Sequence, residues 1–420
     1  MNRLCPTRSP RTPVTGPAAI CAVLLATATA AAQWPQWGGP NHDFKCSTTG
    51  LTDTWPDQGP KRLWTRDLGE GYSGIVVDDG RLFTMYRADD KEIVVAMDAA
   101  TGRTLWEHAY DAPVPKKHVR QFGAGPRGAP LVVGKRVYTV GVSGILHCLS
   151  RKTGRVHWSH KLLEEFDGTF LMHGYASSPL VYKRLLIVPV GGKGHSFVAL
   201  NRRTGRIVWK RHDFANSYSS PIVIDVDGQD QLVCFMGSEV VGLDPLTGDL
   251  RWSFPHENRY HQNICMPVWG DDHILFITSV EGGGSRGLRL TRAGNETRVE
   301  ELWHNSKVKV HHTNAIRVGD TVYTSTGGRG PALINAINVK TGKIAWRERG
   351  FAKATLLYAD GRFILLDEDG NLALARATPE RLTILSKVHL LDRPAWTVPT
   401  LVGHRLYLRD KKVIMALDLG

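Results

Sequence analysis

The sequence predicts an all-β fold, an eight-bladed β-propeller built from four-stranded antiparallel blades. The first observation is a repeated phrase in which a small polar residue precedes a Thr-Gly turn and a Trp follows four residues after the Gly, as in VALNRRTGRIVW at 198–209. The second is that short β-branched runs separated by tight turns fill the chain, with little helical periodicity. The third is an incomplete unit at each end, which indicates a closed ring without exposed sheet edges.

Each repeated phrase predicts a hairpin that ends on an outer strand. The side chain of Asn201 can hydrogen-bond the backbone two residues on, and Gly205 supplies the positive φ that the turn needs. The Trp then wedges between neighbouring sheets, where burying about 200 Å² at about 25 cal/mol/Å² contributes roughly 5 kcal/mol at most. The structural positions that the repeat predicts are Gly102, Trp106, Gly154, Trp158, Gly205, Trp209, Gly248, Trp252, Gly342 and Trp346.

The spacing of the tryptophans determines the predicted number of blades. Intervals of 42, 52, 51, 43, 51 and 43 residues separate Trp64, Trp106, Trp158, Trp209, Trp252, Trp303 and Trp346. The unit at 354–386 keeps its strand runs without the Gly and the Trp, and the unit that ends at Trp303 has Ala-Gly-Asn at 293–295 in place of Thr-Gly. The last stretch, 397–420, offers three strands, and 61–68 supplies the fourth. We therefore predict seven complete blades and one shared between the two ends; an open solenoid would instead need polar capping repeats.

The first 32 residues have the pattern of a secretory signal peptide. They combine three Arg with a short apolar stretch and Ala at positions 30–32. The apolar stretch is short for a membrane span, although a retained anchor is the alternative. We expect a mature chain that starts at Gln33, has no transmembrane span and is soluble in the periplasm or outside the cell. Residues 33–60 are then a lead-in segment, and 61–420 form the propeller.

The net charge limits the kinds of partner that the chain could have, and the cysteines limit its possible disulfides. Loss of the signal peptide would lower the formal net charge from +13 to +10, and the basic residues are scattered through turns. For an exported chain this pattern argues against nucleic acid, and it leaves open an acidic envelope surface or simply a soluble basic surface. We expect a monomer. No C-x-x-C motif occurs, and the sequence permits one disulfide without assigning it among Cys46, Cys148, Cys234 and Cys265.

A ligand site is expected at the mouth of the central channel, where the connections into the innermost strands converge. These connections carry rings and cations and no carboxylate: Tyr72, Arg127, His173, Tyr175, Tyr218, His261, Asn263, His312, Lys353 and Trp396. The cations could pair with carboxylates and the rings could stack, which favours an anionic or planar ligand. Loops at a channel mouth are also wet and polar without any ligand, so both interpretations stay open. Three of the histidines could form a zinc or copper site, but lone loop histidines are common and no metal is predicted.

The repeat resembles that of a known family. An A-x-D-x-x-T-G-x-x-x-W phrase around a ring whose ends share a blade is similar to the quinoprotein-type, PQQ-binding-like β-propellers. QWPQWGGPNHD at 33–43 is similar to a segment of exported bacterial members. The resemblance covers 33–420 and implies the fold more strongly than the function, because one fold hosts unrelated activities. Members include PQQ-dependent alcohol and sugar dehydrogenases and the non-catalytic lipoprotein of the outer-membrane barrel-assembly machinery.

The resemblance implies a different activity depending on which of the two kinds of member this chain is like. In the dehydrogenases, acidic and amide side chains hold calcium beside the quinone, and an Asp acts as base; the mouth connections here contain no Asp or Glu. A vicinal Cys pair and a C-x-x-C-H haem motif are also missing. We therefore expect a binding or scaffold module for a protein or envelope ligand rather than an enzyme. The alternative is a PQQ-dependent alcohol or sugar dehydrogenase, with PQQ and calcium at the mouth.

Overall fold

The computed structural model describes Met1 and residues 33–114, 118–119, 121–169, 171–328 and 330–420. The predicted signal peptide, residues 1–32, lies outside the described part of the chain except for Met1. Strands dominate the described residues, and they form eight sheets around a ring, which confirms the predicted β-propeller. In the following account the complete blades are numbered 1 to 7 in chain order, and the eighth is called the closing blade.

Two strands precede blade 1: β1 (Lys45–Cys46) and β2 (Lys61–Asp67). Blade 1 contains β3 (Val76–Asp78), β4 (Arg81–Ala88), β5 (Lys91–Asp98) and β6 (Thr104–Asp111). Blade 2 contains β7 (Leu131–Val133), β8 (Arg136–Val140), β9 (Ile145–Ser150) and β10 (Val156–Lys161). The short helix α1 (Leu162–Glu165) follows blade 2. Blade 3 contains β11 (Leu180–Tyr182), β12 (Leu185–Pro189), β13 (Phe197–Asn201) and β14 (Ile207–Arg211).

Blade 4 contains β15 (Ile222–Val226), β16 (Gln229–Phe235), β17 (Glu239–Leu243) and β18 (Leu250–Pro255). Blade 5 contains β19 (Ile274–Ser279), β20 (Gly284–Ala293) and β21 (Glu296–Asn305). Blade 6 contains β22 (Ala315–Val318), β23 (Thr321–Ser325), β24 (Ile334–Asn338) and β25 (Ile344–Glu348). Blade 7 contains β26 (Ala354–Ala359), β27 (Arg362–Asp367), β28 (Asn371–Ala377) and β29 (Leu382–His389). The chain ends with β30 (Thr400–Val402), β31 (Arg405–Arg409) and β32 (Val413–Asp418).

The closing blade joins the two ends of the propeller, as predicted. Its strand order is β2-β32-β31-β30, and β2 pairs antiparallel with β32, with Thr65 opposite Met415. Blade 5 departs from the predicted four strands, because its innermost strand is reduced to an isolated bridge between Val268 and Phe276. The preceding Pro267 has no amide hydrogen, and Gly270 has a low strand propensity, so this segment is poorly suited to a longer ladder.

The turn between the third and fourth strands has the predicted geometry. The Asn201 Oδ1 atom accepts hydrogen bonds from the amides of Arg203 at 3.0 Å and Thr204 at 3.2 Å, and Gly205 has a φ of +74°. A side-chain oxygen accepts a backbone amide two or three residues further on in the same way at Asp98, Ser150, Asp244 and Asn338. The repeated phrase is therefore a self-contained turn, stabilised by its own side chain.

The outer-strand Trp packs on the turn glycine of the next blade. Trp106 Nε1 donates to the Arg151 carbonyl oxygen at 3.0 Å, and a Cβ built on Gly154 would lie 2.5 Å from Cε3 of Trp106. The same packing occurs in the pairs Trp64–Gly102, Trp158–Gly205, Trp209–Gly248 and Trp303–Gly342. Neighbouring blades are thus docked by an indole that fills the space left by a missing side chain.

Trp252 and Trp346 show what happens when the next blade lacks this turn. Trp252 Nε1 donates to Gln231 Oε1 of its own blade at 2.7 Å, since Ala-Gly-Asn at 293–295 replaces the Thr-Gly turn in blade 5. Trp346 Nε1 still donates across to blade 7, to the carbonyl oxygen of Thr378 at 2.9 Å. Loss of the Thr-Gly turn in the next blade therefore removes the glycine contact, but the Trp remains on the outer strand.

The lead-in segment closes the channel at the end away from the predicted mouth. It pairs with the far halves of three innermost strands: the Trp34 amide donates to the Val77 carbonyl oxygen, the Val132 amide donates to that of Pro35, and β1 runs parallel to β26. Trp34 and Phe44 are buried, and the rings of Trp37 and Phe44 meet edge to face with centroids 5.3 Å apart. This segment forms an aromatic floor beneath the channel.

The described residues contain neither a disulfide nor a candidate membrane-spanning helix. The cysteines of the described part of the chain, Cys46, Cys148, Cys234 and Cys265, are free thiols, and the last three are buried. Burial raises the pKa of Cys148 to about 11. Among the described residues, none of the helices is long and apolar enough to cross a membrane.

Candidate functional site

Side chains at the start of the innermost strands connect each blade to its neighbour. Ser178 Oγ accepts the Ala129 amide at 2.9 Å, and Ser220 Oγ accepts the Ser178 amide at 2.8 Å. Asn314 exchanges two hydrogen bonds with the backbone of Leu356, at 2.8 and 2.9 Å. These bonds cross from blade to blade around the channel and hold the connecting loops in a ring. The small polar residues before each innermost strand therefore position the channel lining.

A cavity of about 160 Å³ lies inside this ring. Its walls come from the loops that lead into the innermost strands, and its floor includes Trp37 and Phe44 of the lead-in segment. Six residues that the sequence placed at the mouth line it: Tyr72, Arg127, His173, Tyr218, His312 and Trp396. His311 and Phe122, which sequence reasoning did not select, line it as well. The cavity therefore brings together residues from loops that are far apart in sequence.

Four residues predicted for the mouth do not line the cavity. Tyr175 is buried, and its hydroxyl donates to the Pro189 carbonyl oxygen at 2.7 Å. Asn263 is also buried, and its Nδ2 donates to the Met236 carbonyl oxygen at 2.6 Å. His261 is exposed on its loop, and Lys353 points to Glu368, with 3.6 Å between Nζ and Oε2. Successive loop residues face different sides, so membership of the right loop does not place a side chain in the cavity.

Rings surround Trp396 closely. Its ring centroid lies 4.9 Å from that of Tyr72, 5.0 Å from that of Phe122 and 4.6 Å from that of His312. The sequence suggested Trp396 as a surface on which a planar ligand could stack. In the structure that surface is occupied by neighbouring rings, so Trp396 helps to build the cavity wall.

Glu368 is a carboxylate at the mouth that sequence reasoning missed. Its Oε2 accepts the Trp396 indole N–H at 3.0 Å and lies 3.6 Å from Lys353 Nζ, and its Oε1 lies 3.4 Å from Arg393 Nη2. It belongs to the turn between β27 and β28. In an antiparallel blade this turn lies on the same side as the loop that leads into the innermost strand. The acidic tip Asp-Glu-Asp at 367–369 was the signal that could have identified it.

Among the described residues that line the cavity, Arg127 is the one with a charged side chain. Its Nε donates to the His173 carbonyl oxygen at 2.9 Å, its Nη2 donates to that of Gly123 at 3.3 Å, and its guanidinium lies over the Tyr72 ring at 5.3 Å. Every Asp and Glu of the chain falls in the described residues, and none of them forms an ion pair with Arg127. Burial lowers the Arg127 pKa. The site therefore contains a cation that forms no ion pair, although the charge of Glu70 acts on it from a greater distance.

The imidazoles beside Arg127 are neutral at neutral pH. Burial, reinforced by the charge of Arg127, lowers the pKa of His173 to about 4, and burial lowers that of His311 to about 4. The pKa of His312 also falls well below its ordinary value, chiefly because of burial. The Nδ1 atoms of His311 and His312 lie 3.1 Å apart and share one hydrogen bond. His312 Nε2 is excluded from solvent and has no hydrogen-bond partner in the described residues.

The lining fits one part of a PQQ–calcium pair and not the rest. Arg127 suits one of the quinone's carboxylates. Three rings already pack on the Trp396 indole, and about 160 Å³ is below the roughly 300–1,000 Å³ of sites for drug-sized ligands. The Arg127 charge would also repel a calcium ion. Within the described ranges, no group of three or more His, Cys, Asp or Glu is placed to hold a metal ion.

Fold and site together define a ring of Trp-docked blades around a small, aromatic and cation-bearing axial cavity. A family model described as "Outer membrane protein assembly factor BamB" matches residues 56–117 and 90–348. The chain therefore belongs to this family of PQQ-like repeat β-propellers.

Similar proteins include both enzymes and an assembly factor. The quinoprotein alcohol dehydrogenase PedH of Pseudomonas putida is 29% identical over 140 residues, which cover 32% of this chain and 22% of PedH. The outer membrane protein assembly factor BamB of Shewanella oneidensis is 26% identical over 207 residues, which cover 40% of this chain and 50% of that protein. The chain thus spans half or less of these relatives. A quinohemoprotein alcohol dehydrogenase of Comamonas testosteroni superposes with a TM-score of 0.53 at 13% identity, over 94% of this chain and 82% of that one, a likeness of fold.

Proposed function

We propose that this chain is a binding propeller without redox activity, an exported module that recognises a partner protein or an envelope ligand at its channel mouth. The observation that carries the proposal is Arg127, a guanidinium in the cavity lining that forms no ion pair with an acidic residue. Such a cation attracts an anionic group of a ligand and disfavours the calcium that quinone chemistry would need. The similarity to a protein named as an assembly factor supports a protein partner.

The second candidate is a PQQ-dependent alcohol or sugar dehydrogenase. Arg127 favours it to the extent that a quinone carboxylate could pair with the guanidinium, and one relative is a quinoprotein alcohol dehydrogenase. Against it stand the rings already packed on Trp396 and the position of Glu368 and Glu70 outside the cavity lining. Glu368 is paired with Lys353 and Arg393, and Glu70 lies 3.4 Å from Lys411 Nζ and accepts the Ala124 amide. Neither carboxylate is therefore placed to take a proton from a substrate in the cavity.

Dye-linked oxidation distinguishes the two functions. Residues 33–420 would be purified, loaded with PQQ and calcium, and supplied with ethanol or glucose and a dye acceptor. We expect no saturable dye reduction above the sample without PQQ, and no calorimetric binding of PQQ at micromolar concentration. Saturable turnover that Arg127→Ala abolishes and Lys353→Ala preserves would overturn the binding proposal, because Lys353 lies outside the cavity lining.

Export to the periplasm or the medium is the remaining part of the proposal. It is supported by the basic and apolar pattern of residues 1–32. When the full chain is expressed in a bacterial host, we expect the protein recovered outside the cytoplasm to begin at Gln33. N-terminal sequencing measures this directly. A protein that stays in the cytoplasm with Met1 intact would contradict it.

A further inference from the structure

The volume, charge and apolar lining of the channel cavity together indicate a chemical class of ligand. On the basis of the binding function proposed above, we propose that this cavity binds a small aromatic monocarboxylate, a single ring bearing one carboxylate, for which benzoate is the simplest probe.

The volume selects one ring. The cavity measures about 160 Å³. An apolar protein cavity of about 150 Å³ accommodates benzene, whereas drug-sized ligands occupy roughly 300–1,000 Å³. A single benzene ring with a short substituent therefore matches the space, and a fused tricyclic ligand exceeds it.

The walls suit an aromatic ring. Trp37 and Phe44 form the floor, Tyr72 and Tyr218 stand at the sides, and Ile264 and Met266 add aliphatic surface. Aromatic rings gain from edge-to-face and offset contacts with other rings, beyond the gain from burying their area. The ligand's ring would make such contacts with the floor without displacing the rings already packed around Trp396.

The charge selects one carboxylate. Arg127 uses Nε and Nη2 to bind the carbonyl oxygens of His173 and Gly123, and its Nη1 makes no hydrogen bond in the described part of the chain. One guanidinium nitrogen is thus left for a charge-assisted hydrogen bond, and the neighbouring imidazoles are neutral near pH 7 because of burial. A single negative charge would be neutralised, and further carboxylates would be buried without a partner.

Calorimetry with three probes tests the ring and the charge separately on the unmodified protein. Residues 33–420 would be titrated at pH 7 with benzoate, with the neutral isostere benzamide, and with acetate, which has the charge without the ring. We expect saturable one-to-one binding of benzoate at submillimolar Kd, at least tenfold weaker binding of benzamide and no measurable binding of acetate. Equal affinities for benzoate and benzamide, or no benzoate binding at millimolar concentration, would overturn the proposal.

Variants locate the binding site. Arg127→Met should weaken benzoate binding at least tenfold, whereas Lys353→Met, which removes a cation outside the cavity, should leave it within twofold. Thermal denaturation verifies that both variants are folded, and if Arg127→Met is not, the comparison of the three probes still decides. Absence of benzoate binding together with absence of PQQ-dependent turnover would refute the ligand class and leave the binding function standing. PQQ-dependent turnover would refute the binding function itself.

Discussion

Replacing Gly154 by Ala is expected to lower the free energy of unfolding by roughly 2–5 kcal/mol, against about 1–2 kcal/mol for Gly80→Ala. The two glycines have nearly identical φ angles, +71° and +70°, so both substitutions carry a similar left-handed backbone penalty. They differ in their surroundings. A Cβ on Gly154 would lie 2.5 Å from the Trp106 ring, and a Cβ on Gly80 would meet nothing within 4 Å. The difference isolates the contact that docks blade 1 on blade 2.

A double-mutant cycle tests this explanation. In a Trp106→Ala background, which by itself should cost about 3–5 kcal/mol, Gly154→Ala should cost no more than Gly80→Ala does in the wild type. Urea denaturation of the four proteins supplies the energies. If Gly154→Ala and Gly80→Ala are equally destabilising in the wild type, the indole does not dock on the turn as described.

Acidification from pH 6.5 to 4.5 is expected to lower the melting temperature by about 10 °C or more. The cause is a set of buried imidazoles whose folded-state pKa lies below the ordinary value of 6.5. Burial lowers the pKa to about 4 at His42, His147, His173 and His311, to about 3 at His256, and well below 6.5 at His312. Between these values and 6.5 the unfolded chain binds protons that the folded protein does not. The stability is therefore complete above pH 6.5 and is lost as the pH falls.

Other groups titrate outside this window or act with the opposite sign. Hydrogen bonds from Thr101 lower the pKa of Asp98, and a hydrogen bond from Arg251 contributes to lowering that of Asp244, so their stabilising effects disappear below the ordinary carboxyl range, near pH 4. Burial raises the pKa of Glu92, whose contribution is lost as the pH rises. The interval from pH 6.5 to 4.5 therefore reports mainly the histidines.

The variant His256→Gln tests the contribution of a single histidine to this pH dependence. Arg286 Nη1 donates to His256 Nδ1 at 2.8 Å, so the His256 proton is on Nε2, which lies 2.8 Å from Ser279 Oγ. Protonation of Nδ1 would remove the acceptor of this hydrogen bond and place a positively charged N–H next to the Arg286 guanidinium. The variant should lose about one proton from the number taken up on unfolding, measured as the slope of the unfolding free energy against pH. An unchanged slope would show that His256 titrates normally in the folded protein.

The sequence alone determined the features of this protein that depend on short-range chemistry. Asn201 binds amides within its own turn, Gly205 adopts the positive φ that the turn requires, and the regular spacing of these turns predicted the number of blades. The unpaired strand runs at both ends predicted the pairing of β2 with β32. In each case the interaction is repeated, so its pattern is visible along the chain.

The tertiary structure decided which side chains of the predicted loops enter the cavity and which residues from outside those loops join them. Tyr175 and Tyr218 occupy similar places in their loops, yet the first is buried away from the cavity and the second lines it. Glu368 reaches Trp396 from a different turn of another blade, and Trp37 and Phe44 form the floor from a segment outside the repeat. These contacts join residues from separate blades through single side chains. Their direction depends on how the whole ring closes, and no local pattern in the chain records it.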